Sequence, residues 1–254
     1  MEMKQALELK GISLSFGRKK KRVDVLEQVS LTVGPEEFVS IIGPSGCGKS
    51  TLFHIIGGLL DPDQGDVYLN GQLMTGQKGM ISYMPQQPAL FPWRTIEENV
   101  ILAKEVAGAP IRMAKEEARK WLAQVGLEGY EKSYPHELSG GMQQRVAFLR
   151  ALLSDKQLMC LDEPFSALDA LTRIDMQRWL LHMWERNKRS VLFVTHHMEE
   201  ALLLSDVIYV LSAKPAIVLE RIEVPFARPR PEEIVHERSF LDLKQYMYDL
   251  MKQG

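Results

Sequence analysis

Apolar and polar positions alternate through Leu7–Phe16, "LELKGISLSF", and again through "VLEQVSLTV" at residues 25 to 33. Period-two alternation is the mark of a strand with one covered face, so the two stretches predict an antiparallel pair joined across the basic run Arg18 to Arg22. "EFVSIIG" (37 to 43) is instead a continuous apolar run into glycine, and "TLFHIIGGL" continues it as a helix closed at Gly57 and Gly58. "GDVYLNG" predicts a short strand ending in the Asn70-Gly71 turn, and "MISYMP" (80 to 85) predicts another.

From about residue 93 to 153 the spacing becomes helical. "RMAKEEARKWLAQVGL" places Met113, Ala114, Ala118, Trp121, Leu122 and Val125 on one face, which reads as a helical insertion. "QLMCLDEP" (157 to 164) and "SVLFVTH" (190 to 196) then return as buried strands, separated by the helix "DALTRIDMQRWLLHMWERN". Strand, helix, strand alternation predicts an α/β domain on a parallel sheet. In "VPFARPRP", Pro225, Pro229 and Pro231 exclude regular helix or central strand, so a linker is expected. Beyond it Phe240, Leu243, Tyr246, Met247, Leu250 and Met251 recur at helical spacing and predict a terminal helix packed on the body. The expected organisation is therefore one domain over 1–224, with its helical insertion at about 93–153, and a linker and helix over 225–254.

Composition narrows the functional classes. The 254 residues are 45% apolar and 25% charged with a formal net charge of -2, so a sizeable core is expected and no basic field for nucleic acid. The basic run at Arg18 to Arg22 reads as a solvated hairpin tip. Cys47 and Cys160 lie far apart, outside any C-x-x-C pair, which disfavours a disulfide or zinc framework and fits a reducing compartment. Cys160 reads as a core residue, and Trp121, Trp179 and Trp184 sit in helical patterns and need only packing explanations. The first residues carry scattered charges and no run of 18 apolar residues occurs, so neither a cleaved signal nor a membrane span is expected.

The strongest chemical signal is "GPSGCGKST" (43 to 51), which satisfies G-x-x-x-x-G-K-[ST] between a predicted strand and a predicted helix. Gly43, Gly46 and Gly48, with Pro44, Ser45 and Cys47 between them, let backbone N–H groups approach phosphate oxygens, and the helix start adds positive potential. Lys49 supplies a full charge to the β and γ phosphates, Ser50 a hydroxyl ligand for Mg2+, and Thr51 a bond to the α-phosphate. Cys47 is read as a small space-filling residue of that loop. "QLMCLDEP" delivers Asp162 and Glu163 at the carboxyl end of a buried strand, where open α/β sheets hold their ligands. Asp162 is the expected Mg2+ holder and Glu163 the residue that orients and deprotonates an attacking water.

With these motifs the chain resembles the nucleotide-binding subunits of ATP-binding-cassette transporters, over roughly residues 7 to 220. "YMPQQPALFPWRTIEENV" resembles the family's Q-loop region, with Gln86 toward Mg2+ and the attacking water. Pro85 before that glutamine, where the family commonly has a Val-Phe type pair, is expected to change the angle at which the loop leaves its strand. "LSGGMQQR" (138 to 145) resembles the signature motif, whose Ser139, Gly140, Gly141 and Gln143 face the ATP of a second subunit. "SALD" resembles the D-loop through Ser166 and Asp169, and "VTHHMEEA" the switch segment, with the switch histidine expected at His196 and a second histidine, His197, where the family commonly has Asp. Phe16 matches the aromatic that stacks on adenine; as a residue of a strand it reads equally as a core aromatic.

The resemblance implies a P-loop NTPase of ABC ATPase type, with a mainly parallel RecA-like core, an N-terminal antiparallel β subdomain and an inserted α-helical subdomain. It further implies ATP and Mg2+ as cofactors and a homodimer that closes on ATP. Two integral-membrane permease subunits would dock near Gln86–Asn99, where Leu90, Phe91, Pro92 and Trp93 suit a socket, although pattern alone also allows a buried loop. An extracytoplasmic solute-binding protein would act indirectly, no nucleic acid is involved, and the subunit would sit at the cytoplasmic face of the cell membrane. The "FPW" stretch, the His196 neighbourhood and the "ARPRP" tail resemble importer subunits for nitrate, aliphatic sulfonates and taurine, or for thiamine-pyrimidine precursors. The alternative is a soluble ABC-type ATPase uncoupled from transport. The single cassette, with Ser139 only 90 positions after Lys49, fits neither the two-cassette translation factors nor the coiled-coil repair ATPases. A nucleotide-binding regulator without activity is disfavoured by the presence of Lys49, Asp162, Glu163 and the switch histidine.

Overall fold

The computed structural model describes residues 4–17 and 22–253. Of the basic run, Arg18 to Lys21 lie outside the described residues, and Arg22 bonds Asp63 at 2.9 Å. In chain order the elements are β1 (Leu7–Phe16), β2 (Val23–Val33), β3 (Phe38–Ile42), α1 (Lys49–Ile56), β4 (Gln64–Leu69), β5 (Gln72–Leu73) and β6 (Ser82–Met84). There follow α2 (Ile96–Val100), α3 (Leu102–Val106), α4 (Ile111–Gln124), α5 (Gly140–Leu152), β7 (Leu158–Asp162) and α6 (Ala170–Asn187). The chain continues with β8 (Ser190–Val194), α7 (Met198–Leu204), β9 (Val207–Leu211), β10 (Val218–Glu223) and α8 (Arg238–Gln253). Contacts divide it into two compact units, Met1–Met80 with Lys188–Gly254, and Ile81–Asn187.

In the first unit β1 pairs antiparallel with β2 and with β4, as the alternating pattern predicts. Leu7, Leu9, Ile12 and Leu14 of β1 are buried. The step from Leu9 to Ile12 breaks strict alternation because the register shifts there, at Gly11 with φ 60°. β3 pairs in parallel with β8 and β9, and β10 closes antiparallel on β9. All five positions of β3, β8 and β9 are buried, which is why these stretches are mostly apolar and do not alternate.

The tail is held to the first unit by both apolar and polar contacts. Phe240 and Met247 of α8 join the cluster of Ile42, Ala201, Leu202, Ile208 and Val210. Tyr246 is exposed instead and bonds Glu220 on β10 at 2.6 Å. The last carbonyls of a helix lack partners within it. Here Arg230 donates to Leu202 O, Leu203 O and Ser205 O at 2.8, 3.1 and 2.7 Å, and Arg228 to Leu204 O and Asp206, so two arginines of the proline-rich linker cap α7. Burial, then the neighbouring Arg228, draws the Arg230 guanidinium down to about 10, still charged at neutral pH.

In the second unit β6 and β7 pair in parallel, and the Ser82 hydroxyl bonds Ala151 O at 2.5 Å, fixing β6 on α5. The buried stripe of α4 is Ala114, Ala118, Leu122 and then Val125. Met113, expected on that face, is 62% exposed, because it falls off the i, i+4, i+8 row that meets the unit's interior. Glu97 of α2 is buried and paired with Lys115 and Arg119 of α4 at 3.0 and 2.9 Å. Trp179 of α6 meets Trp121 and Phe148 edge-on, with centroids 6.0 and 5.4 Å away. No helix among the described residues is long and apolar enough to cross a membrane.

Candidate functional site

In the first unit β3 runs into the 43–48 loop and α1 leaves it, so the loop is fixed at both ends by regular structure. Gly48 caps α1 at φ 128°, and a Cβ there would lie 2.9 Å from Leu26 Cδ2 and 3.0 Å from Val25 Cγ1 on β2. Only glycine fits that conformation and that approach. The Lys49 ammonium turns back into the loop and donates to Gly43 O at 2.8 Å and Pro44 O at 2.9 Å. Lys49 is nearly buried, so its charge is directed to the inside of the curve. Lys49 and the α1 amino end thus stand together, an arrangement of positive potential suited to an anion. Cys47 is buried beside it, Sγ 3.9 Å from Nζ, and fills space.

Two further members of the expected set lie in this unit. Phe16 ends β1 opposite Val23 and is 45% exposed, so it is no core aromatic and presents its ring at the surface. His196 follows β8 and is exposed; His197 caps α7, its N–H bonded to Thr195 Oγ1 at 3.0 Å. The imidazole centroids are 4.1 Å apart, so the two histidines occupy one corner.

The second unit collects the rest. Asp162 is the last residue of β7 and is buried, whereas Glu163 leaves the strand at φ 47°. A non-glycine residue in that region costs about 1–3 kcal/mol and persists where its surroundings demand it. Here the surroundings are specific: Gln86 Nε2 donates to Glu163 Oε2 at 3.0 Å, and Gln144 Nε2 donates to Glu163 O at 3.0 Å. Burial, and next the Asp162 carboxylate, push both the Cys160 thiol and the Tyr83 phenol upward, so neither ionises beside Asp162 at neutral pH.

Ser139 is the amino cap of α5, its Oγ accepting from Met142 N at 3.3 Å, and Gly140 and Gly141 open the helix. A Cβ on Gly141 would press on Leu168 Cδ2 at 3.2 Å, while Gly140 faces open space. Gln143 turns away from the helix start and braces its own loop through Pro135 O and Leu138 O, at 2.9 and 3.1 Å. Of the D-loop pair, Ser166 Oγ accepts from Gln144 at 3.3 Å, and Asp169 caps α6 through Thr172 N at 3.0 Å. The bonds from Thr172 hold the Asp169 carboxyl below the usual carboxylate range. Leu90 and Phe91 are half-buried, Pro92 and Trp93 exposed, and the Phe91 and Trp93 rings tilt together at 5.1 Å. The stretch is therefore not a buried loop. Asn99 holds it, accepting from Phe91 N and donating to Phe91 O, Arg94 O and Thr95 O.

The family model described as ABC transporter matches residues 26–166, more than half of the chain. The chain belongs to the ABC transporter family. An aliphatic sulfonates import ATP-binding protein of Bacillus cereus is 40% identical to this cassette over 98% of the chain and 96% of its own length. A formylaminopyrimidine import ATP-binding protein of Halalkalibacterium halodurans is 44% identical, over 88% and 86%. The dimeric structure of a post-hydrolysis state of the ATP-binding cassette MJ0796, bound to ADP and Pi, resembles it with a TM-score of 0.77 at 30% identity, over 87% of this chain and 100% of that one. The cassette is an ABC-type P-loop ATPase, an ATP-binding and ATP-hydrolysing transporter subunit of the import type to which these relatives belong.

Sequence reasoning did not single out Gln144 or Arg150. Gln144 carries the backbone of Glu163 and also accepts from Ala167 N at 2.8 Å. It stands one position past Gln143 in a pair of identical residues, and only the rotation of α5 decides which of them faces the catalytic loop.

Proposed function

We propose that the cassette powers import of a small polar solute of the sulfonate, taurine, nitrate or pyrimidine-precursor class. The single observation that carries its catalytic part is the Gln86 to Glu163 bond of 3.0 Å, which aims a carboxylate from a strained backbone position at the end of a buried strand. In this reading the 43–51 loop binds the ATP phosphates, with Pro44, Ser45 and Cys47 contributing backbone. Lys49 charges the β and γ phosphates, Thr51 bonds the α-phosphate and Phe16 stacks on the base. Glu163 accepts a proton from water, and Gln86 and His196 orient that water and the γ-phosphate.

A hydroxyl, a carboxylate and an amide oxygen, from Ser50, Asp162 and Gln86, are hard oxygen donors suited to Mg2+. Among the described residues no group of three or more His, Cys, Asp and Glu could hold a metal. Mg2+ takes one or two side chains and the substrate's own phosphates. When bound it supplies charge neutralisation to the phosphates.

The reading also places the cassette as a homodimer on the cytoplasmic face of the membrane. Ser139, Gly140, Gly141 and Gln143 of one subunit serve the ATP of the other, Ser166 and Asp169 lie in the D-loop beside it, and permease subunits dock on the 86–99 stretch at its exposed Pro92 and Trp93. An extracytoplasmic binding protein delivers solute to the permease. Uptake of labelled sulfonates, taurine, nitrate and pyrimidine precursors tests the cargo, in a deletion strain with the gene restored or carrying Glu163→Gln. Uptake of one class that returns only with the intact gene is expected. Equal uptake of all four without the gene contradicts the assignment.

A further inference from the structure

The bond between Gln86 and Glu163 joins two loops that are not neighbours in sequence, so something must hold both loops in register. One helix does. On α5, Gln144 Nε2 donates to Glu163 O at 3.0 Å and to Ser166 Oγ at 3.3 Å, which fixes the carboxylate's side. Two turns further along the same helix, Arg150 Nη1 donates to Ala89 O and Nη2 to Pro88 O, both at 2.8 Å, which fixes the glutamine's side. A planar guanidinium bridging two consecutive carbonyls sets the loop's orientation as well as its distance. The grip is needed because Ala89 stands at φ 45°, a left-handed conformation that a free chain leaves. Ser82, at the start of the strand before the loop, is bonded to Ala151 O on the same helix. Burial draws the Arg150 guanidinium below its usual value. Its charge faces two carbonyl dipoles rather than water.

We propose that Arg150 is a positioning residue for hydrolysis. Through the Pro88 and Ala89 carbonyls it holds Gln86 at bonding distance from Glu163, so the helix that opens with Ser139 also sets the Gln86 to Glu163 pair. The inference rests on the catalytic reading of Gln86 and Glu163 given above, and adds to it the residue that registers them. Lysine keeps the charge and can donate to two carbonyls, as Lys49 does, but lacks the planar fork that fixes the loop's orientation.

The test is a double-mutant cycle on the full-length chain with Arg150→Lys and Gln86→Ala, reading kcat, KM for ATP and thermal midpoint. Arg150→Lys is expected to lower kcat by about 10- to 100-fold, the scale of a misplaced catalytic group. KM should stay within about twofold, since no contact made equally in ground and transition states is lost. In a Gln86→Ala background the same change should add nothing. A merely structural arginine would move the thermal midpoint, and its effect would multiply with that of Gln86→Ala; that result overturns the proposal, as does an unchanged kcat in Arg150→Lys. If Gln86→Ala itself leaves kcat intact, the reading of Gln86 fails and the proposal with it, a pattern distinct from an impaired Gln86→Ala beside a normal Arg150→Lys. Should Arg150→Lys not fold, Ala89→Val serves, at an exposed position where a β-branched residue cannot hold φ 45° and so shifts the two carbonyls while both donors stay in place. A smaller fall in kcat is then expected, absent from the Gln86→Ala background; a full effect there, or none in the otherwise intact chain, overturns the proposal.

Discussion

The two units hold their chemistry in different ways. In the first, the proposed phosphate cradle is one contiguous loop, framed by the strand before it and the helix after it and filled by its own lysine. In the second, the groups proposed for hydrolysis and for the partner's ATP come from residues 86, 139–143 and 162–163, and side chains of α5 bond the loops that carry Gln86 and Glu163. A contiguous loop is specified by local backbone geometry. A dispersed set is specified by polar contacts, each of which can be lost singly. The first arrangement suits tight binding of a constant group, and the second suits a site that must form and dissolve through a cycle.

The sharpest way to break the comparison is to remove chemistry from the second unit while leaving the first intact. Glu163→Gln should cut ATP turnover by about 10²- to 10⁴-fold, the contribution of a general base, with ATP affinity unchanged. Turnover assays beside equilibrium binding of a fluorescent ATP analogue check this, and a matching loss of affinity would mean that the two units do not divide the work as described.

Next in size is stability. Burial would raise the Glu97 carboxyl, but the bonds from Arg119 and Lys115 outweigh it and hold the group below its ordinary value of 4.5. A depressed folded-state value gives stability that is present above the unfolded value and is lost as pH falls through the folded one. Glu97→Gln should therefore cost about 1–3 kcal/mol at pH 7, the worth of charged hydrogen bonds, and the gap from the parent chain should shrink progressively in melts run at pH falling below 4.5. A gap that is constant with pH contradicts the assignment.

Much of the fold was legible because burial on both faces leaves its mark in the sequence. "FVSII", "LMCLD" and "SVLFV" are buried at every position and apolar but for Ser40, Asp162 and Ser190, and each is a strand from end to end. The cradle was legible for the same local reason. What stayed hidden depends on long-range polar contacts. "ARPRP" reads as a proline-broken linker, and nothing local says that Arg228 and Arg230 cap α7. Gln144 and Arg150 look like surface residues of an amphipathic helix until the loops they grip are in place. The helix α7 and the strands β9 and β10 were not separated by pattern, being short and set in one apolar stretch. Phe16 was ambiguous because an aromatic at a strand end has the same local pattern whether its ring is covered or open.

The smallest expected effect belongs to the first unit. Phe16→Ala should weaken ATP binding by about 1–2 kcal/mol, the scale of base stacking on an aromatic, without lowering turnover at saturating ATP. Calorimetric titration with ATP, and with an inorganic polyphosphate that has no base, separates the two terms. An equal loss for both ligands would remove Phe16 from the base site.

In the proposed cycle Ser139, Gly140 and Gly141 serve a nucleotide held by a second copy of the chain. The direct test is sedimentation velocity of the Glu163→Gln protein, which retains ATP, with and without Mg2+ATP and with and without Ser139→Arg. The account predicts a monomer that becomes a dimer with ATP and, with Ser139→Arg added, an ATP-bound monomer. A dimer that still forms with arginine at position 139, or a Glu163→Gln protein that stays monomeric at saturating ATP, would contradict it.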